Sequence, residues 1–551
     1  MHKRKIYLCY AHMKKVLFFN PRSANSKPRI PNSILQVAAS VEGTIEWAIV
    51  DGNLEEDSWL KISSYLKTNE YRYFASTVMP GPQLHQAIRT SRKIRHEFPS
   101  VKIIWGGYFP SNHYKAVLSS GYVDFIINGQ GDKAFAKLLS ALESGSQSFE
   151  EINNLIYKSQ NGSDENLNFS INPSDEIYEQ DELNELPYHT LNKFYPLKKY
   201  LGKTYLGEKT IAYHSSMGCP FTCSFCAVVP LYKGRWKGKS AIKIYSDIKY
   251  LKEEYGGNAI EFHDNNFFVS EKRTAEFSEL ISKENMKWWG EGRIDTIDRY
   301  SDITLEKMKD SGCKMIFFGA ESGNDAILKS MDKGGTQTGE QILRFAGRMK
   351  KHGIIPEYSF VLGTPAESRN EVWKQIRLDV EFIRKVKDIN PETEIIIYIY
   401  SPVPTEGSKL YNAAINSGFK FPETLDDWIS DKWLNFDLRK NPLTPWLEPD
   451  MIDYIRNFET VLNGFYPTVS DIRLGPNRRK ALKMISAFRY KYKLYSLPFE
   501  IKSLQKFWKY RQPEIEGFCS LYNLSTTPNG TNYFVLLKQD ANHFHCREEA
   551  A

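Results

Sequence analysis

Short apolar runs recur through the first 150 residues, at Val16–Phe19, Trp47–Val50, Tyr73–Val78, Val101–Trp105 and Asp124–Ile127. Stretches with helical spacing, such as Gln83–His96 and Ala134–Leu142, lie between several of them. Strand-length runs alternating with helices predict an open parallel sheet, covered on both faces, over residues 14–150. The carboxyl ends of those runs read Asn20-Pro21, Asp51-Gly52-Asn53, Ser76-Thr77, Gly106-Gly107 and Gly129-Gln130-Gly131. Ligands of open α/β sheets bind beyond such ends, and small residues let a backbone approach a large ligand. No G-x-G-x-x-G follows the first run, so the nicotinamide fingerprint is absent.

A polar, acidic stretch then reads as a linker over residues 151–204. The alternation resumes from 205 to 410, with strand candidates Thr210–His214, Ala259–His263, Lys287–Gly292, Lys314–Phe318, Glu357–Leu362 and Glu394–Tyr400. In Ala241–Tyr255 the apolar Ile244, Ile248, Leu251 and Tyr255 repeat at helical spacing, and Gly256 stops the run. Ile342, Phe345, Ala346 and Met349 do the same in Thr338–His352, which Gly353 ends. Six tandem βα units predict a partial or complete barrel of parallel strands, with its site at the strands' carboxyl ends. Residues 411–551 lose the alternation. Helical patches near 449–464 and 476–510 predict a mostly helical accessory domain, and residues 1–13 form an N-terminal extension.

Of the 551 residues, 41% are hydrophobic and 25% charged, and the net charge is +7. This excludes a wholly disordered chain, a collagen and a disulfide-stapled mini-protein. Spread over this length, the charge does not argue for nucleic acid. No run approaches the ~18 apolar residues of a membrane span. The apolar stretch Ile6–Ala11 is shorter than the roughly 7–15 residues of a secretory signal core, so a cytoplasmic protein is expected. From Arg478 to Gln512 many Lys and Arg interleave with aromatics. This reads as a helical face whose long side chains lie over apolar contacts, ahead of a surface for membrane or RNA.

Seven cysteines occur, at 9, 219, 223, 226, 313, 519 and 546. Cys219, Cys223 and Cys226 form C-x3-C-x2-C within HSSMGCPFTCSFCAVVP, at the end of the first barrel strand. An odd total with one tight cluster points to a metal site rather than a disulfide framework. Three thiolates is the informative count. A structural zinc takes four closed ligands, whereas a 4Fe–4S cluster on three cysteines leaves one iron open. Zinc completed by His214 or a distant residue is the competing assignment. Cys313 reads as a buried structural thiol; Cys9, Cys519 and Cys546 lack motif context.

C-x3-C-x2-C with an aromatic before the last cysteine, on the first loop of such a barrel, resembles the signature of the radical S-adenosylmethionine (SAM) superfamily. The blocks IEFHDNNF, GCKMIFFGAESG and FVLGTPAES, with WGGYFP and DFIINGQG in the first domain, resemble its cobalamin-binding branch. The likeness spans residues 14–410. It implies an α/β chain: a Rossmann-like cobalamin-binding sheet, a partial (β/α)6 TIM-like radical SAM barrel, and the helical accessory domain. Cys219, Cys223 and Cys226 would hold the 4Fe–4S cluster, whose open iron chelates SAM. Phe225, Asn265, Arg293, Glu321 and Gly363 would face SAM, with Arg293 on its carboxylate, Glu321 on its ribose and Gly363 near the adenine.

Cobalamin would meet Asn20, Ser76, Thr77, Gly106, Gly107, Gly129 and Gly131. In one group of cobalamin domains a D-x-H-x-x-G loop after the first strand ligates cobalt. Here that loop is NPRSANSKPRIPNS, so no histidine ligand is expected from it. His85 and His113, near other strand ends, read as surface or packed histidines. The implied reaction methylates an unactivated carbon of a small molecule or peptide, through methylcobalamin and a 5′-deoxyadenosyl radical. It would draw electrons from an external one-electron reductant of flavodoxin or ferredoxin type and use no specific nucleic acid. A cyclase of tetrapyrrole type carries the same motifs and is the alternative. A non-catalytic iron–sulfur redox sensor would not need the SAM-facing strand ends. A tRNA methylthiolating enzyme would carry a second cysteine triad upstream, where only Cys9 stands.

Overall fold

The structure is a computed structural model and describes residues 15–23, 28–159, 169–333, 337–401, 409–434, 436, 441–472, 474–508 and 510. The N-terminal extension, Cys9, Cys519 and Cys546 lie outside the described residues. Each early apolar run is a strand: β1 (Lys15–Asn20), β2 (Trp47–Asp51), β3 (Tyr71–Thr77), β4 (Lys102–Gly106) and β5 (Phe125–Ile127). Val16 and Phe18 enter the core on one face of the sheet, Leu17 and Phe19 the core on the other. A strand buried on both faces loses polar alternation, which is why these runs are continuous.

Two further strands, β6 (Leu155–Lys158) and β7 (Phe169–Ile171), extend the sheet antiparallel, giving the order β2-β1-β3-β4-β5-β6-β7. They fall in the stretch read as a linker. Its apolar residues Leu191, Leu197 and Tyr200 are fully buried against the sheet's core, and Tyr200 Oη donates to Asp51 Oδ2 at 2.9 Å. That stretch is therefore packed onto the first domain. The strand order reverses beside β1, which puts the topological switch point between β1 and β3.

The barrel strands are β8 (Thr210–Tyr213), then, after a small antiparallel hairpin of β9 (Ser216–Gly218) with β10 (Trp236–Gly238), β11 (Ala259–Phe262), β12 (Lys287–Gly292), β13 (Cys313–Glu321), β14 (Ile355–Leu362) and β15 (Glu394–Ile399). They pair in parallel in sequence order, from β8 to β15, as a six-stranded open barrel. Leu206 packs with Ala259, Met315 and Ile396 in one small core. These residues open or underlie their strands, so the amino end is plugged and the carboxyl end is the mouth. Helices Ala241–Tyr255 and Gly339–His352 end at Gly256 and Gly353, as their spacing requires.

The accessory region is helical but divided. Helix Pro449–Phe465 packs on β15 and on helix Arg369–Ile389, and carries helices Pro476–Lys491 and Phe499–Trp508. The short helix Leu425–Trp428 returns to the first domain, where Leu425 and Trp428 are buried in its core. Trp428 lies 4.8 Å from the His113 ring and 5.2 Å from Phe109. Burial lowers both His85 and His113 to about 4, so both are neutral packed histidines. Among the described residues no helix is long and apolar enough to cross a membrane.

Candidate active site at the barrel mouth

The chain leaves β8 through His214 and Ser215 and enters the β9–β10 hairpin, whose tip carries the three cysteines. Asp264, just after β11, fixes the start of this excursion. Its carboxylate accepts from Ser215 N at 3.0 Å, from Ser215 Oγ at 2.9 Å and from Ser216 Oγ. Arg273, buried on the following helix, donates to the Lys239 and Phe267 carbonyls, both at 2.8 Å, and to Ser215 Oγ. On the far side, Ser224 N and Oγ donate to the carbonyls of Met331 and Ser330 at 2.9 and 3.0 Å. A loop of seventeen residues is thus held at its start by Asp264 after β11 and farther along by the end of helix Asp325–Ser330.

The thiols share one pocket. Burial pushes Cys219 up and Cys226 up to about 12, and the negative charge of neighbouring thiolates would raise these two further. Among the described residues no three His, Cys, Asp or Glu side chains converge as a single metal ion needs. Three thiolates match, by count, the donor set of a 4Fe–4S cluster that keeps one iron open. Arg293 Nη1 donates to Cys223 Sγ at 3.1 Å, and its guanidinium lies 3.8 Å from the centroid of the Phe221 ring.

Arg293 follows β12 and is buried. Its fork is closed on Asp295, Nε to Oδ1 at 2.9 Å and Nη2 to Oδ2 at 2.7 Å, and Nη2 also donates to the Lys333 carbonyl at 2.5 Å. The fork assigned to the SAM carboxylate is therefore engaged within the protein, with its charge beside the cluster thiols. Glu321 ends β13 at φ +63°, a left-handed conformation that costs a non-glycine residue about 1–3 kcal/mol. It is held there by Lys333, 2.9 Å away, and both side chains are buried. Phe225 packs beside Ile327, Met331, Tyr400 and Leu410.

Asn265 is exposed, whereas Asn266 is 1% exposed, with both amide atoms lacking a hydrogen-bond partner of good geometry, beside the Cys219 thiol. Of the three residues Asp264-Asn265-Asn266, the outer two are buried, Asp264 against Ser215 and Asn266 beside Cys219. Next to Gly363 the space is filled by Leu447, 2.8 Å from where a Cβ would stand, and the Gly363 carbonyl accepts from Trp446 Nε1 at 2.9 Å. The close approach at Gly363 is made by the accessory region.

The carboxyl edge of the first sheet faces this mouth. Tyr108, just past Gly107, lies within Coulombic reach of Cys226, and burial together with that thiol raises its phenol. The helix Tyr108–Asn112 packs on Val229–Tyr232, next to the cysteine loop. Asn32 Nδ2 donates to the Ala212 carbonyl at 3.0 Å, and Arg29 pairs with the buried Glu261 at 2.9 Å. Asn20 donates to Asp51 Oδ2 at 3.1 Å, Ser76 is buried, and Ser33 Oγ donates to Thr77 Oγ1 at 3.3 Å. The four edge glycines differ. At Gly107, φ +97°, a Cβ would meet Thr77 Oγ1 at 3.1 Å, and at Gly131 it would meet Ile127 at 3.1 Å. At Gly106 the nearest atom is 3.9 Å away, and at Gly129, φ +78°, nothing lies within 4 Å. Gly129 is the one of the four that opens fully onto free space.

Inside the barrel, His263 lies beside His214 and Trp289, with ring centroids 6.2 and 5.9 Å apart. Burial pushes Glu291 up to about 7 there, partly offset by His263. Sequence reasoning missed Asp264, Asn266, Arg273 and Lys333. For Asp264 and Asn266 the signal was present, because they flank the residue chosen.

The family model for the radical SAM superfamily matches residues 213–378. An uncharacterized methyltransferase of Pyrococcus horikoshii is 26% identical over 67% of this chain and 79% of its own length. An anaerobic magnesium-protoporphyrin IX monomethyl ester cyclase of Synechocystis is 26% identical over 56% of this chain and 57% of its own. The solved structure of the cobalamin-dependent SAM radical enzyme OxsB, with aqua-cobalamin and SAM bound, has a TM-score of 0.62 at 16% identity, covering 90% of this chain and 75% of that one. That likeness is one of fold, a mixed α/β chain of parallel sheets with a helical C-terminal region.

Proposed function

We propose that this chain, a radical SAM enzyme by its barrel and its cysteine loop, is a cobalamin-dependent methyltransferase acting on an unactivated carbon of a small molecule or peptide. When bound, the cluster supplies one-electron reductive cleavage of SAM, and cobalamin supplies a transferable methyl group. Cys219, Cys223 and Cys226 would hold the cluster. Arg293 keeps a positive charge beside Cys223, and Asn266 offers an unspent amide beside Cys219. Glu321 and Lys333 form a fixed polar wall at the end of β13, suited to SAM's hydroxyl and carboxylate groups. Phe225 adds an apolar surface next to them. Asn20, Ser76, Thr77 and the glycine edge, with Gly129 open, would hold cobalamin.

The observation that carries this reading is the apposition of the two edges, with Tyr108 of the first domain beside Cys226 of the barrel. A ligand on the sheet edge and a ligand on the cysteine loop then share one space. The Arg29–Glu261 and Asn32–Ala212 contacts tie the first domain to the barrel strands β11 and β8. An external reductant of flavodoxin or ferredoxin type would supply electrons. The cyclase reading uses the same residues and is favoured by the cyclase relatives of Synechocystis, Rubrivivax gelatinosus and Cereibacter sphaeroides. Methyl-labelled SAM, turned over with candidate substrates, separates the two: label in the product supports methyl transfer, and an unlabelled, oxidised product contradicts it.

A further inference from the structure

The helical unit beside the barrel turns an apolar, basic face to solvent. In Pro476–Lys491, Leu482, Ser486 and Tyr490 are buried. On the opposite side Met484, Phe488 and Tyr492 repeat every four residues and are 64%, 64% and 56% exposed. The Phe488 and Tyr492 rings lie 4.8 Å apart. The turn that follows adds Leu494, Leu497 and Phe499, the last two 77% and 71% exposed. Arg489 holds this turn against the helix through the carbonyls of Ser496 and Leu497, at 2.7 and 3.1 Å. Some cations do lie over rings as expected, Lys491 Nζ 5.6 Å from the Tyr492 centroid and Lys483 Nζ 5.4 Å from that of Phe465, yet Phe488, Leu497 and Phe499 stay exposed. Isolated exposed apolar residues are ordinary, but a contiguous set marks an interaction surface.

The charge identifies the partner. From Ile472 to Trp508 there are ten Lys or Arg and one acid, Glu500, a net +9 in a chain whose total is +7. Glu500 is spent on Arg489. Lys480, Lys483 and Lys491 are exposed and have no ion pair among the described residues. We propose that this face docks on an anionic lipid bilayer, with Phe488, Leu497 and Phe499 entering the interface and Lys480, Lys483 and Lys491 on the headgroups. A second copy would bring the same positive charge and be repelled. RNA would be held by charge and aromatic stacking, but Met484, Leu494 and Leu497 are aliphatic and offer no stacking surface. Hydrocarbon is what they match.

Flotation of the full chain with phosphatidylcholine vesicles, with and without phosphatidylserine, tests this. Binding is expected only to the anionic vesicles and should weaken with salt. Each of Lys480→Ala, Lys483→Ala and Lys491→Ala should reduce it about fivefold. The triple variant Phe488→Ser, Leu497→Ser, Phe499→Ser should reduce it on the order of tenfold or more, with iron content after reconstitution unchanged as the check on folding. Absence of the full chain from anionic vesicles overturns the proposal. So does binding that soluble RNA displaces, a dimer that the triple variant dissolves, or binding that appears only when residues 511–551 are removed.

Discussion

Gly129→Leu should release cobalamin and leave the cluster alone. Gly129 has φ +78° and no atom within 4 Å of a Cβ, so a side chain added there meets open space at the edge where cobalamin is proposed to sit. Gly43 is a matched control. It has the same φ of +78° and the same empty surroundings, and it lies in the turn before β2, at the opposite end of the sheet. A left-handed conformation costs a non-glycine residue roughly 1–2 kcal/mol, and that strain is common to both variants. Crowding a bound ligand costs about 1–3 kcal/mol more, or roughly ten- to hundredfold in affinity. Gly107→Leu is a poorer probe, because a Cβ there strikes the Val78 backbone at 3.2 Å whether or not a ligand is present. The assay is anaerobic absorbance titration with cobalamin, beside iron content. Wild-type affinity in Gly129→Leu, or an equal loss in Gly43→Leu, would refute the placement of the ligand at this edge.

Other outcomes follow from the same geometry. Arg293→Ala removes a positive charge and an N–H from Cys223, so the cluster's reduction potential should fall by on the order of 50 mV in a spectroelectrochemical titration, and Arg293→Lys should restore part of it. Lys333→Met leaves the buried Glu321 carboxylate alone and should destabilise by about 3–5 kcal/mol in thermal unfolding, with much of the loss recovered when Glu321→Gln is added. Glu291 has a folded pKa of about 7 against an unfolded 4.5, so its stabilising share is full below pH 4.5 and lost as pH rises through 7. The unfolding midpoint of wild type should therefore fall relative to Glu291→Gln between those values; parallel curves would remove Glu291 from the buried lumen.

The first five strands were legible because burial on both faces makes them nearly continuous apolar runs, the barrel strands because short apolar runs alternate with helices, and two of those helices because a glycine ends the apolar stripe. The cysteine loop was legible from spacing alone. β6 and β7 were not, since three or four residues at an antiparallel edge carry no periodicity. Asn265 was named from the family resemblance, and only the fold shows that the neighbouring Asn266 is the buried amide. Lys333 is far from Glu321 along the chain's pattern and meets it only because the segment after Asp325–Ser330 doubles back over β13. The return of Trp428 to the first domain is a long-range contact with no local signal. The glycine edge was read as one cradle, but Gly107 and Gly131 answer to neighbouring side chains and backbone.

The central claim is that one chain holds a cluster and cobalamin face to face. Anaerobic reconstitution of the full chain with iron, sulfide and hydroxocobalamin, followed by metal analysis of wild type and of Cys219→Ala, Cys223→Ala, Cys226→Ala together, tests it most directly. The account predicts about four irons and one cobalt per wild-type chain, and in the triple variant the loss of iron with cobalt retained. Iron retained without the three cysteines, or a wild-type chain that takes up no cobalt, would contradict it.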